Sequence, residues 1–203
     1  APSTNDTLQN ITSHIASLDA DNDNISYAYR WYNTTGIIAE SVHFNNSLVL
    51  YMPFDNDARD YALANDGNVS GATLNKTDFK VGSGAFSFDG VNDYISRDDD
   101  GGLDISGGIT LSHWVKAKGN ASGNVATTVE KGSVGNSYAI NYIMRFQQDY
   151  RMGFNVANSS AGLGTQVNTG VLTLGRWYHV VGTYDGSISK IYVDGVLADS
   201  ASF

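Results

Sequence analysis

The stretch from Trp177 to Gly195 constrains the fold most. Trp177-Tyr178-His179-Val180-Val181-Gly182-Thr183-Tyr184 leads into Asp185-Gly186, and Ile188 to Val193 leads into Asp194-Gly195. An Asp-Gly pair between alternating runs signals a tight hairpin, because Gly accepts the positive φ that such a turn requires. Two in succession predict a three-strand antiparallel meander.

Earlier runs extend the pattern. Leu48-Val49-Leu50-Tyr51-Met52 is continuously apolar, as expected of a strand covered on both faces, and Pro53 ends it because proline cannot donate to a ladder. Gly84 to Ile95, Gly108 to Lys116, Ser137 to Phe146 and Tyr150 to Val156 read as further strands. Composition agrees: 12 Tyr, 8 Phe, 3 Trp and 22 Gly against 2 Pro. Among the 21 acidic residues only Glu40 and Glu130 are glutamate, and aspartate favours turns where glutamate favours helix. At 203 residues the chain can bury one core, or one core with a small appendage.

Within residues 1–44, Leu8 to Leu18 is followed by the turn-rich Asp19-Ala20-Asp21-Asn22-Asp23-Asn24 and then by Ile25 to Tyr32. Ile25, Tyr27, Tyr29 and Trp31 share one face of the second run by the period of two. These runs predict a hairpin, with Ile37-Ile38-Ala39 as a short third strand. A lone hairpin is marginal in water and needs a surface to lie on.

A net charge of −9 with only 12 Lys and Arg offers no cationic face for phosphates, which argues against nucleic acid and anionic membrane as partners. No apolar run approaches the roughly 20 residues of a membrane-spanning helix. No leader peptide stands at Ala1, so a mature or excised piece is expected. Without cysteine there is no disulfide or thiol chemistry to read. Asn-x-Ser/Thr sequons begin at Asn5, Asn10, Asn24, Asn33, Asn45, Asn68, Asn75, Asn120 and Asn158. Composition alone would give about three. The excess fits a glycosylated extracellular surface protein, while Asn, Ser and Thr filling solvent-facing loops is the plainer alternative.

Four stretches carry a family resemblance in order: Leu50-Tyr51-Met52-Pro53-Phe54-Asp55, Phe86 to Ile95, Ile109 to Val115, and Trp177 to Gly195. Together they resemble the laminin-G-like jelly roll of the concanavalin A-like lectin/glucanase superfamily. That resemblance implies an all-β fold, an antiparallel jelly-roll β-sandwich over residues 45–203. The Asp-rich turn with Tyr29-Arg30-Trp31-Tyr32-Asn33 resembles two central strands of the immunoglobulin-like modules of archaeal and bacterial surface proteins. Residues 1–44 are therefore expected to be part of such a module, an N-terminal immunoglobulin-like β-hairpin segment. In the laminin-G-like family further strands follow the meander, including one that returns beside the first. Those closing strands are expected to come from more of the same polypeptide or from another chain.

The resemblance also raises glucanase chemistry, in which two carboxylates flank the scissile bond. In that branch the carboxylates are glutamates on one strand, and Glu40 and Glu130 do not form such a pair. No nucleophile elbow accompanies His14, His43, His113 and His179, and no spacing suggests zinc. His113 shares strand parity with Ile109, Leu111 and Val115 and should point at the core. His179, beside Trp177, reads as structural, and Trp114 on the opposite face from His113 reads as packing rather than as a sugar platform. Calcium is the one cofactor worth arguing, because hard cations want several oxygens from flexible loops. Asp19, Asp21 and Asp23 are the leading candidates, ahead of Asp55-Asp57-Asp60 and Asp98-Asp99-Asp100, with solvated, Asx-capped turns as the alternative. The expectation is a non-catalytic, structural or adhesive surface protein, a filament or lattice subunit partnered by copies of itself or by further domains. A carbohydrate-binding module with glycan partners is the alternative.

Overall fold

The structure, a computed structural model, describes residues 27–33, 36–43, 47–105, 107–119, 125–132, 140–158 and 162–202. The chain divides into two units, residues 1–48 and 49–203.

In the first unit β1 (Tyr27–Asn33) pairs antiparallel with β2 (Gly36–His43), Tyr27 opposite His43 and Asn33 opposite Gly36, with an irregularity at Trp31/Tyr32. Among the described residues, the aromatic strand pairs with the segment that follows it. The upstream run from Leu8 lies outside the described residues.

The second unit begins with two small ladders. β3 (Asn68–Ser70) pairs with β6 (Tyr94–Ser96), and β4 (Thr73–Asn75) pairs with β5 (Ala85–Ser87). Among the described residues the one helical turn is the 3-10 turn Gly101–Leu103, capped by the Asp100 carboxylate accepting from the Gly102 N–H. β7 (Ile109–Val115), β13 (Tyr178–Tyr184), β14 (Ile188–Val193) and β15 (Val196–Ser202) form one sheet in the order β15-β14-β13-β7. β8 (Ala126–Gly132), β9 (Ile140–Phe146), β10 (Met152–Asn158), β11 (Gly162–Leu163) and β12 (Val167–Asn168) form the other. There β9 and β10 are central, and β11 and β12 both pair with β10.

The core lies between these sheets. Tyr142, Met144 and Phe146 of β9 and Met152, Phe154 and Val156 of β10 meet Tyr178, Val180 and Ile191 of the opposite sheet. Each set repeats every two residues, as side chains on one face of a strand must. Ile109, Leu111 and Val115 of β7 pack against this cluster from the sheet edge. The second unit is an antiparallel jelly-roll β-sandwich, as the family resemblance implies.

One expected strand is absent. Residues 48–60 form no ladder. Instead the Tyr51 N–H donates to the Asp60 carboxylate and the Tyr51 carbonyl accepts from the Tyr61 N–H, leaving Leu50 39% exposed. A continuous apolar run forms an inner strand only where strands flank it. Among the described residues no strand pairs with this one.

The two Asp-Gly turns form where the sequence places them. Asp194 and Gly195 both have positive φ (49° and 82°), as a two-residue hairpin turn requires. Asp185 instead braces its turn by accepting from the Ser187 and Ile188 N–H groups.

Candidate functional site

Strand parity that turns Tyr178, Val180 and Gly182 inward turns His179 outward, and on β7 it turns Ser112 and Trp114 outward. Trp114 lies directly across from His179 in the ladder. Their rings stack, with centroids 5.2 Å apart and planes at 29°. Ser112 Oγ and His179 Nε2 are 2.9 Å apart, which fixes the tilt of the imidazole.

Residues distant in sequence complete the place. The Lys80 ammonium stands 5.3 Å from the Trp114 ring centroid, and the Arg176 guanidinium lies 4.7 Å from that of Tyr178. At the β14–β15 turn, the Asp194 carboxylate accepts from the His179 N–H at 3.0 Å and from Arg176 Nη2 at 3.2 Å. Behind this, Asp78 accepts from the Trp177 indole N–H (3.1 Å) and from Lys116 Nζ (2.5 Å), while that ammonium lies 5.6 Å from the Trp177 ring. The Lys116 ammonium, and after it the indole N–H, holds the Asp78 carboxyl below the usual carboxylate range. Lys80, Trp114, Arg176, Trp177, His179, Asp194 and Gly195 thereby line an open pocket of about 680 Å³ on the outer face of the sheet.

Trp114, read as packing, is 38% exposed and forms one wall. His179, read as structural, forms another. Parity shows that both point away from the core, but it carries no information about Lys80 or Arg176. The one signal available was the pair of tryptophans near Lys116 and Arg176.

The remaining candidates fall elsewhere. Both ring nitrogens of His113 are buried and have no hydrogen-bond partner among the described residues. Burial, and then repulsion from His179, pushes its pKa down to about 4. Asp19, Asp21 and Asp23 lie outside the described residues. Asp60 of the second acidic loop is almost fully buried and accepts from the N–H groups of Tyr51, Ala62, Leu63 and Asn65. Burial alone would raise its pKa, but those four backbone donors outweigh it and lower it. Asp57 accepts from the Arg59 N–H and Asp55 from the Ser83 N–H. In the third acidic loop Asp99 pairs with Lys131. Among the described residues no three acidic or imidazole groups converge on one point.

Of the sequon asparagines, Asn68 is exposed on β3, and Asn33 and Asn158 fall within β1 and β10. Asn75 Oδ1 accepts from the Thr77 N–H, the Thr77 hydroxyl and the Asp78 N–H, so the residues of that sequon brace one another. Asn5, Asn10, Asn24, Asn45 and Asn120 lie outside the described residues. Glu130 is exposed on β8, and Glu40 lies in β2 of the other unit.

Two antiparallel sheets packed face to face define the class as a jelly-roll β-sandwich. The profile of the laminin-G-like family, described as the concanavalin A-like lectin/glucanases superfamily, matches residues 89–203. The chain belongs to this family. No curated protein matches it. Among solved structures, the crystal structure of an S-layer domain-containing protein from Clostridium thermocellum (its residues 221–444) aligns with a TM-score of 0.41 and 22% identity, over 75% of this chain and 71% of that one. No helix among the described residues is long and apolar enough to cross a membrane.

Proposed function

We propose that the chain is a non-catalytic structural or adhesive module of a cell surface, whose sandwich is extended along β7 by a strand of neighbouring polypeptide. The observation that carries this reading is the state of the sheet edges. An exposed edge strand is a template for pairing, and proteins blunt such edges with charge, proline, bulges or brevity. β15 carries Asp199 and is bulged against β14 at Ile191/Tyr192. β8 carries Glu130 and Lys131 and has two register irregularities, while β11 and β12 are two residues each.

β7 has none of these devices. Its seven residues, Ile-Thr-Leu-Ser-His-Trp-Val, include no Asp, Glu, Lys, Arg or proline, and their register with β13 is unbroken. Among the described residues β7 pairs with β13 alone. The strand donor is a further copy or a further domain, which gives a filament or lattice its contact. The sequon excess and the acidic surface fit an extracellular setting, and a separated glutamate pair fits a role without hydrolysis.

Two measurements test the proposal: light scattering over a concentration series, and hydrogen exchange along Ile109–Val115. Assembly that slows β7 exchange, and that the outward edge substitution Thr110→Lys prevents, is the expected result. A monomer at every concentration with β7 amides already fully protected overturns it.

A further inference from the structure

We infer that Asn75, in the turn that leaves β4, is a glycan-acceptor asparagine and is modified in preference to the more exposed Asn68. This goes beyond the edge-strand reading and stands on different residues. Asn68-Val69-Ser70 and Asn75-Lys76-Thr77 are the two sequons whose residues are described throughout, side chains included. Exposure alone favours Asn68, which is exposed where Asn75 is half-buried. Backbone geometry favours Asn75. In β3 the side chains of Asn68 and Ser70 stand on one face roughly 7 Å apart, because a strand rises by half that per residue. Pairing with Ser96 and Tyr94 of β6 holds them in that extension. At Asn75 the chain turns instead. Its Oδ1 accepts from the Thr77 N–H at 2.8 Å, the Thr77 hydroxyl at 3.0 Å and the Asp78 N–H at 2.9 Å. The first and last residues of this sequon already touch.

The chemistry of the transfer shows why that contact matters. A glycan reaches asparagine from a saccharide activated on a lipid phosphate. The bond between Nδ2 and the anomeric carbon forms, and the bond from that carbon to the phosphate oxygen breaks. The phosphate leaves with the electron pair, and one amide proton passes to a base of the transferring enzyme. The amide and the hydroxyl two residues on must reach that enzyme together, which is the physical content of the sequon. Three donors on Oδ1 draw electron density toward the oxygen and ease loss of the Nδ2 proton. They also fix which end of the carboxamide is oxygen, so Nδ2 is the end left for transfer. It donates no hydrogen bond among the described residues. The turn is held from both sides. Lys76 Nζ donates to the Asp55 carbonyl at 2.5 Å and to Asn56 Oδ1 at 2.6 Å, which draws the middle side chain of the sequon onto the loop below. Asp78, next in the chain, is tied to Trp177 and Lys116. Asn75 is therefore presented by the folded chain as it stands, whereas Asn68 can bend around a catalyst only when β3 leaves β6.

The test is a time course in which the folded 203-residue chain meets a purified single-subunit oligosaccharyltransferase and a lipid-linked saccharide. Peptide mapping by mass spectrometry reads occupancy at each asparagine. Synthetic peptides spanning the Asn68 and Asn75 sequons serve as the unfolded reference and show that the enzyme accepts both. In the folded chain the rate at Asn75 relative to Asn68 should exceed the same ratio in the peptides by about tenfold or more, because Asn68 must wait for its ladder to open. Thr77→Ala should abolish modification at Asn75 and leave the rate at Asn68 unchanged, and Thr77→Ser should restore most of it. A folded chain that is modified first at Asn68 overturns the inference. So does a ratio equal to that of the peptides, or an Asn75 that the enzyme takes in the peptide and refuses in the fold. None of these outcomes touches the β7 edge, whose own test is assembly.

Discussion

His113 shows what a single parity position decides. Alternation along Ile109–Val115 places it inward, and there it sits, its ring nitrogens buried and unpartnered. A histidine in that position is neutral in the folded chain and titrates near 4, against 6.5 when unfolded. The unfolded chain then binds more protons between those values, so stability rises with pH across that window. Above about pH 6.5 the neutral form prevails in both states and nothing is lost. As pH falls from 6.5 toward 4 the fold loses on the order of 3 kcal/mol, and below 4 the loss levels off. His113→Leu removes the titrating group and two unsatisfied nitrogens. Thermal midpoints from pH 7 to 4.5 should fall steeply for the parent and stay nearly flat for the variant. A parallel fall in both would show that His113 is not the acid-sensitive group. The acidic loops were less legible than His113. Asp60 reads in sequence as a cation ligand, because spacing cannot reveal that the backbone N–H groups of Ala62, Leu63 and Asn65, and that of the more distant Tyr51, converge on it.

At the scale of elements, the strands with strict alternation and marked turns were the legible ones. β13, β14 and β15 form where the two Asp-Gly pairs put them, and β7 fills the centre of its predicted run. The run from Gly84 to Ile95 yields only the short β5 and β6, because Asp89 and Asp93 divert the chain between them. Asp89 Oδ1 accepts from the Val91 N–H, and Asp93 Oδ2 from the Asp89 N–H. Gly182 was not legible at all. It interrupts an otherwise bulky β13, and nothing in Val-Val-Gly-Thr explains it. The sandwich does: a Cβ there would lie 2.5 Å from Phe154 Cγ and 2.8 Å from Met144 Cε, inside the best-packed part of the core. Gly182→Ala should therefore cost about 1–3 kcal/mol by overpacking, despite the better strand propensity of alanine. Denaturant melts would register the loss as a lower midpoint at unchanged slope. A neutral or stabilising result would mean that the two sheets part more easily than their packing implies.

Across the whole second unit, stability is unevenly placed. The core cluster and the side chains packed against it run from Ile105 to Ala201, so residues 49–104 contribute none of it. That earlier stretch is organised by polar bonds: the Asp60 cage, the Asn75 and Asp89 turns, and two ladders of three-residue strands. Much of its apolar surface remains in water, with Leu63 59%, Val81 61% and Val91 74% exposed. The family profile begins only at residue 89, inside this stretch, and the jelly roll it describes was legible because its strands bury one another. Segments with few buried apolar contacts open at lower free energy than the core they adjoin. Native-state hydrogen exchange in low denaturant should therefore resolve two levels. Amides of residues 49–104 should exchange by sub-global opening, while those of β9, β10, β13 and β14 wait for global unfolding. Asp78 ties the first stretch to the second through Trp177 and Lys116. Amides flanking Asp78 should consequently be the slowest of the early stretch, and Asp78→Ala should bring them to the rate of their neighbours without changing the core. Exchange of both stretches at one common free energy would show instead that the unit unfolds as a single cooperative block.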